Sequence, residues 1–361
     1  MLKITYPVKA MEGKAASVLE RLLREIPILK LKTLKIDEPR DRDFGIDITA
    51  QVNVGGESYL LICQVKSNGQ PRFVRDAAHQ LRNYVTHFKK QATPILIAPY
   101  LSAASRELCR ENDVSFLDLE GNAHIAFGAV YIDCSVSDKP ILERREFHSL
   151  FKPKSAQVLR ILLRNPNQVW KVVDLAEVAK VSLGHVSNVR KALLDREWAE
   201  IVPEGIHLTS PDALLDGWKL AYRPSFEKET RFYTTLHGSA MERAIRDMFV
   251  GMKDDGKLAL ASFSAAHWIA PYARTGTQFI YADISTLECL HKALSLSSAT
   301  KGENVIVMCP KDTGVFLDTY EPSPNIRCTS PVQTYLDLSL AGERGQEAAE
   351  YLRSARLSWQ K

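Results

Sequence analysis

The sequence predicts a multidomain protein of α/β plus α+β class. Its 361 residues exceed what a single ordinary core accommodates and suit two or three domains. Apolar patterning also changes twice along the chain. Mixed strand and helix runs extend to about residue 140, a compact helical stretch closing on two short extended segments follows, and a second mixed run completes the sequence. The composition, 45% hydrophobic and 25% charged, is globular throughout, with no tract biased enough to remain unfolded.

The elements can be placed in order. Ala15, Val18, Leu19, Leu22, Leu23 and Ile26 recur at helical spacing, and Pro27 stops that helix. Extended segments are expected near 28–37, 45–54 and 58–67, the last two joined by a hairpin turn at Gly55-Gly56. A helix from about Phe73 to Lys90 comes next, then the short strands PILIAP, VSFLDL, AHIAF and VYIDC around a helix starting near Ser102. Between Ser137 and Lys154 the chain turns charged and carries two prolines, which predicts a boundary. After the helical unit, the stretch from Asp212 to Glu229 reads as helical and then irregular. A helix from His237 to about Met252 follows, then strands at KLALA, TQFIYADI, ENVIVMCP and VFLDTY and two closing helices. The expected domains are 1–150, 151–222 and 223–361.

The net charge of +4 is mild, so any grip on nucleic acid must come from local clusters of Lys and Arg. The six cysteines are scattered, with no Cys-x-x-Cys pair and no His at metal-ligand spacing, which predicts reduced thiols. The amino terminus lacks the apolar stretch of a signal peptide, and no apolar run approaches the ~20 residues that span a bilayer. A cytoplasmic protein is expected.

The middle segment carries the most specific pattern. Three helical stretches precede two short extended ones around Pro203-Glu204-Gly205, the order of a winged helix-turn-helix. Val173, Leu175, Ala176 and Ala179 supply the apolar and small positions of the second helix. Lys180-Val181 makes the turn, and Ser182 can cap the third helix. At 100° per residue, Val186, Val189 and Leu193 share one side of that helix while Ser187, Asn188 and Lys191 project from the other, flanked by His185 and Arg190. Asn can read adenine edges, and Lys or Arg can reach guanine or phosphate in the major groove. Base contacts are therefore expected from Ser187, Asn188 and Lys191, and phosphate contacts from Lys180, Arg190 and Lys171. The competing reading is a solvated surface or a protein contact. Phe151 to Ser210 holds nine Lys and Arg against six Asp and Glu. A homodimer or the neighbouring domain is expected to share the grip on DNA.

In the first domain, Asp47 sits in GIDITAQV, and Ile62, Gln64 and Lys66 share one face of the next strand by alternation. An acid on one strand, with an amide or acid and a Lys on its neighbour, can hold a divalent ion and orient water toward phosphate. From Glu12 to Asp118 the order helix, strand, hairpin, strand, helix, strand resembles the restriction-endonuclease-like PD-(D/E)XK superfamily, especially its Mrr-type branch, in which Gln can replace the usual Glu. The resemblance implies Asp47, Gln64 and Lys66 as the catalytic set, with Glu12 and Asp47 toward Mg²⁺ if the site is active. Gln64 removes one negative charge, so the ion would be held weakly or not at all.

Three further motifs occur in order: GNAHI after the strands of the first domain, KSAQVLRILL opening the winged helix, and SPVQTYLDLSLAGERGQEAAEYLR near the end. Together with ALASFSAAHWIAPY and QFIYADI, they make most of the chain resemble the AbiEi-type antitoxins of type IV toxin-antitoxin systems. The resemblance implies a transcriptional regulator that represses its own operon by binding double-stranded promoter DNA. It also implies action against a nucleotidyltransferase-like toxin without a stable complex. The winged helix is internal here, whereas many antitoxins of this group begin with it. The alternative is a metal-dependent endonuclease targeted by the winged helix. In the third domain His267, Arg274, Tyr281 and Asp283 have no spacing that demands chemistry, and Asp337 is expected to cap or bridge helices.

Overall fold

A stripe at four-residue spacing, Ala15, Leu19 and Leu23, is buried along helix α1 (Val8–Arg24), which ends before Pro27. The computed structural model describes residues 8–37, 45–88, 92–136, 140–251, 257–272, 276–299 and 301–359. Helix α1 opens a first compact unit made of residues 1–145 with 193–197; residues 146–192 with 198–361 form the second.

In the first unit β1 (Leu29–Ile36), β2 (Ile48–Val54) and β3 (Glu57–Val65) form an antiparallel meander. Helix α2 (Pro71–Val85) leads to β4 (Ala92–Ala98), parallel to β3, and α3 (Ala103–Glu111) leads to β5 (Ser115–Asp118), parallel to β4. Strands β6 (Ala123–Phe127) and β7 (Val130–Cys134) complete a seven-stranded sheet in chain order. Strand alternation sends Ile48, Ala50, Leu61 and Cys63 into the core under α1, and Ile62 into the opposite core with Val74, Leu81 and Cys109 of α2 and α3. The predicted succession of elements from Glu12 to Asp118 is present. Within GNAHI, fully buried Asn122 donates to Asp118 at 2.7 Å and accepts from Arg106 at 2.6 Å. That motif is the clasp of the β5–β6 turn.

The expected charged boundary holds a helix instead, α4 (Ile141–Leu150), and the division between units falls inside it. Pro140 stands just before its first residue, where a missing N–H costs nothing, and no breaker follows until Pro153.

After the end of α4 come α5 (Pro153–Arg164), α6 (Val172–Val178), α7 (Leu183–Asp195), whose last three residues are grouped with the first unit, and the antiparallel pair β8 (Ala199–Val202) and β9 (Gly205–Leu208) of the second. This is the element order expected for the middle segment. Helix α8 (Pro211–Ala221) then leads to β10 (Phe226–Tyr233), which belongs to the stretch read as irregular. Its side chains are mostly exposed, so it lacks the apolar alternation that marks a strand.

After α9 (Gly238–Gly251) come β11 (Leu258–Leu260), α10 (Ser262–Ile269), β12 (Gln278–Ala282), α11 (Leu287–Ala293), β13 (Ser297–Ser298) and β14 (Val305–Pro310). The segment VFLDTY is not one strand. Val315 and Phe316 lie in a 3-10 turn capped by Asp312, and β15 (Thr319–Ser323) starts only afterwards. Strand β16 (Ile326–Thr329) and helices α12 (Pro331–Leu338) and α13 (Gly342–Arg356) finish the chain. The mixed sheet runs β13-β10-β14-β12-β11-β16-β15.

Ser330 caps α12, its hydroxyl accepting the Gln333 N–H at 3.3 Å. Helix α12 packs on α10 and α13 and also on α5 and α8, which joins the helical part of this unit to its sheet. No described helix is long and apolar enough to cross a membrane. The six cysteines are free thiols, and burial pushes Cys109 up to about 12.

Candidate nucleic-acid interface

Helix α6 ends because Lys180 adopts a left-handed conformation, φ +52°. Its N–H donates to the Glu177 carbonyl at 3.1 Å and the Val181 N–H to the Ala176 carbonyl at 3.0 Å, the paired bonds of a Schellman motif. Glycine is usual at that position, so the lysine side chain is accommodated at some conformational cost. Helix α7 starts three residues later. The Ser182 hydroxyl accepts the His185 N–H at 3.4 Å and meets His185 Nδ1 at 3.1 Å, which places Ser182 as the expected cap.

Val186, Val189 and Leu193 are buried, while His185, Ser187, Asn188 and Lys191 are exposed and Arg190 is half-buried. Lys180 and Lys171 are also exposed. All seven residues expected at DNA therefore have side chains at least partly open to solvent. Leu175, Ala176 and Ala179 are buried as expected, but Val173 is 62% exposed. It follows Lys171 in the first turn of a seven-residue helix, one position away from the buried stripe. Leu183, the first residue of α7, is also exposed, a feature the sequence reading missed. An exposed aliphatic group beside Asn and Lys could meet a thymine methyl.

The hairpin of β8 and β9 is widened by Trp170, whose N–H and carbonyl pair with those of Ile206, both at 2.9 Å. Gly205 sits at φ +153°, and any Cβ there would overlap the Trp170 carbonyl. The tip carries exposed Glu204, with exposed Glu200 on the strand below 3.3 Å from His207. An acidic tip is a poor partner for phosphate, which leaves Lys171 and Lys180 at the two ends of α6 and the basic groups of α7 as the anion-attracting surface.

The set expected in the first unit is only partly brought together. Asp47 precedes β2, and its Oδ2 accepts the Val65 N–H at 2.6 Å. Gln64 is buried and donates to Gln80 of α2 at 3.0 Å. Half-buried Lys66 lies one residue beyond β3. Glu12 belongs to α1, which covers the sheet face opposite the one to which Gln64 points. Among the described residues no group of three or more His, Cys, Asp or Glu is placed to hold a metal ion. This donor set does not fit a divalent cation. One carboxylate is engaged by backbone, the amide is turned to another amide, and the second acid is on the wrong face.

In the second unit Tyr281 and Asp337 belong to one cluster, whereas exposed His267 and half-buried Asp283 are not part of it and Arg274 lies outside the described residues. Asp283 caps a 3-10 turn through the Ser285 N–H and pairs with Lys257 at 3.3 Å. Asp337 is half-buried, and its Oδ1 accepts from Tyr222 at 2.6 Å, Tyr281 at 2.9 Å and Gln333 at 2.9 Å. It thus bridges the end of α8, β12 and α12, as expected of a structural carboxylate. Burial pushes its carboxyl up to about 6, against the lowering effect of those three donors and of the Arg160 charge. Gln333 also accepts from Arg160 Nη2 at 2.9 Å, and the same nitrogen donates to Asp312 at 2.8 Å. The sequence reading missed Arg160, because an arginine within an apolar helical run reads as a surface position.

Residues 207–357 match a family model described as "Transcriptional regulator, AbiEi antitoxin, Type IV TA system". The match takes in α8, the mixed sheet and the closing helices, so the likeness carried by SPVQTYLDLSLAGERG and QFIYADI is borne out over that part of the chain. No curated protein matches the sequence. One similar solved structure is "Structure of EndoMS in apo form", at 15% identity over 29% of this chain and a TM-score of 0.21. The chain spans 45% of that protein's length.

Proposed function

We propose, for a chain whose residues 207–357 carry the AbiEi antitoxin likeness, a cytoplasmic DNA-binding transcriptional regulator that serves as the antitoxin of a type IV toxin-antitoxin system. In this reading residues 151–222 form a winged helix-turn-helix domain that places α7 in the major groove of the protein's own promoter. Ser187, Asn188 and Lys191 read base edges, while Lys171, Lys180 and Arg190 hold phosphates beside His185. Residues 223–361 counter a nucleotidyltransferase-like toxin without forming a stable complex with it. Residues 1–150 form a restriction-endonuclease-like domain that supports DNA or partner binding rather than cleavage.

The observation that carries the DNA-binding reading is the two-sided character of α7. Val186 and Val189 are buried on one side, and Ser187, Asn188 and Lys191 are open on the other, behind the turn held by Lys180. A surplus of only three positive charges between Phe151 and Ser210 favours a homodimer, in which two copies of α7 double the phosphate contacts. A gel shift with the protein's own promoter tests the reading. Retarded DNA at low salt, lost in the Asn188→Ala/Lys191→Ala variant, is expected; no shift at low salt would remove it.

A further inference from the structure

Within the second unit a cavity of about 310 Å³ opens beside α5 and the end of α8. That is the lower end of the range for small-molecule sites. Its apolar wall includes Phe151, Trp218 and Phe226, with the Phe151 and Trp218 rings stacked at 5.8 Å and 22°. The two rings face each other and the Arg160 guanidinium lies 5.6 Å from the Trp218 ring centroid, so the wall presents a rigid apolar edge to a planar body. Arg160, Arg223 and Lys311 also line it, and Asp312 is the single carboxylate of the wall among the described residues.

Arg160 is the decisive group. Its side chain is only 3% exposed, and its guanidinium satisfies Asp312 and Gln333 through Nη2 alone. Nε and Nη1 are buried without a hydrogen-bond partner among the described residues. Buried guanidinium donors normally find acceptors, because an unpaired buried donor has given up its hydrogen bonds to water without replacement. The outer rim adds positive charge through exposed Arg223 and Lys311. A cationic rim, a buried guanidinium with donors to spare and stacked aromatic walls together define the complementary ligand.

We propose that this cavity binds a small planar aromatic carboxylate, its carboxylate on Arg160 and its ring against Phe151, Trp218 and Phe226. None of the residues lining it belongs to the exposed face of α7 or to the metal-type set of the first unit, and its existence does not rest on DNA binding. Because Arg160 belongs to α5, a ligand held there fills the inner side of the helical segment and is expected to stabilise it.

Isothermal titration of the full-length protein with benzoate and with indole-3-acetate tests the proposal. At least one probe should bind with a submillimolar Kd and raise the melting temperature. Arg160→Met should abolish that binding. Since removal of a buried arginine can disturb folding, the surface variant Arg223→Glu/Lys311→Glu is measured in parallel. It should retain the wild-type far-ultraviolet spectrum and weaken binding at least tenfold. Failure of both probes to bind at millimolar concentration, or equal affinity in wild type and the rim variant, would overturn the proposal.

Discussion

Gly205 passes the backbone of Trp170 so closely that a side chain at 205 has no room, and the two-way hydrogen bonding between Trp170 and Ile206 depends on that approach. The hairpin is thereby tied to the start of α6, about two helical turns before the segment that presents Lys180. Gly205→Ala combines a strained φ with a backbone overlap, and costs of this kind run at about 1–3 kcal/mol for the conformation alone. Denaturant unfolding should show a loss of at least about 2 kcal/mol. An unchanged midpoint would mean that the hairpin moves away from Trp170 freely.

Lys180 offers the opposite case. A left-handed non-glycine residue costs about 1–2 kcal/mol, and glycine relieves it at the expense of some unfolded-state entropy. Lys180→Gly should therefore leave stability unchanged or raise it by up to ~1 kcal/mol while weakening DNA binding. Loss of stability in that variant would show that the lysine side chain, rather than its charge toward DNA, is what the turn requires.

The carboxyl of Asp337 makes stability depend on pH in a defined direction. Its carboxyl titrates near 6 in the folded protein against an ordinary value of 3.8, so the folded state binds this proton more tightly than the unfolded state. The contribution is fully present below about pH 4 and is lost as pH rises through 6, on the order of 3 kcal/mol in total. The groups facing Asp337 are Tyr222, Tyr281, Gln333 and the Arg160 charge. Burial holds both tyrosines protonated well above pH 10. Asp337→Asn keeps an acceptor for the three donors and removes the titration. Relative to wild type it should gain about 1–2 kcal/mol between pH 5 and pH 7.5 in urea unfolding. Parallel pH profiles would contradict the assignment.

In the first unit Asp47 is expected to act as an acceptor for the Val65 N–H. Asp47→Ala should cost about 1–3 kcal/mol by leaving that donor unsatisfied. Supercoiled plasmid should stay intact with the wild-type protein and Mg²⁺ or Mn²⁺. Metal-dependent nicking that disappears in Asp47→Ala would contradict the reading of the donor set.

The parts of this architecture legible in the sequence are those whose chemistry is local. Pro27, the Gly55-Gly56 turn, Ser182 and the buried side of α7 announce their elements directly, and the structure places them as expected. Strand β10 was hidden because its side chains are mostly exposed and its order comes from pairing with β14, about 75 residues away. The charged α4 segment was read by composition, although its helix starts at a proline-marked terminus. The clusters around Arg160 and Asp337 were illegible for a different reason. Each joins residues more than 100 positions apart, and the partners of a buried charge are set by packing rather than by spacing.

The most direct test of the central claim is the affinity of the purified protein for its own promoter compared with a scrambled duplex of equal length at a fixed low salt concentration. At least tenfold preference for the promoter is expected, with that preference largely lost and promoter affinity reduced at least tenfold in Asn188→Ala/Lys191→Ala. Equal affinity for the two duplexes, or a variant that binds the promoter as wild type does, would contradict it.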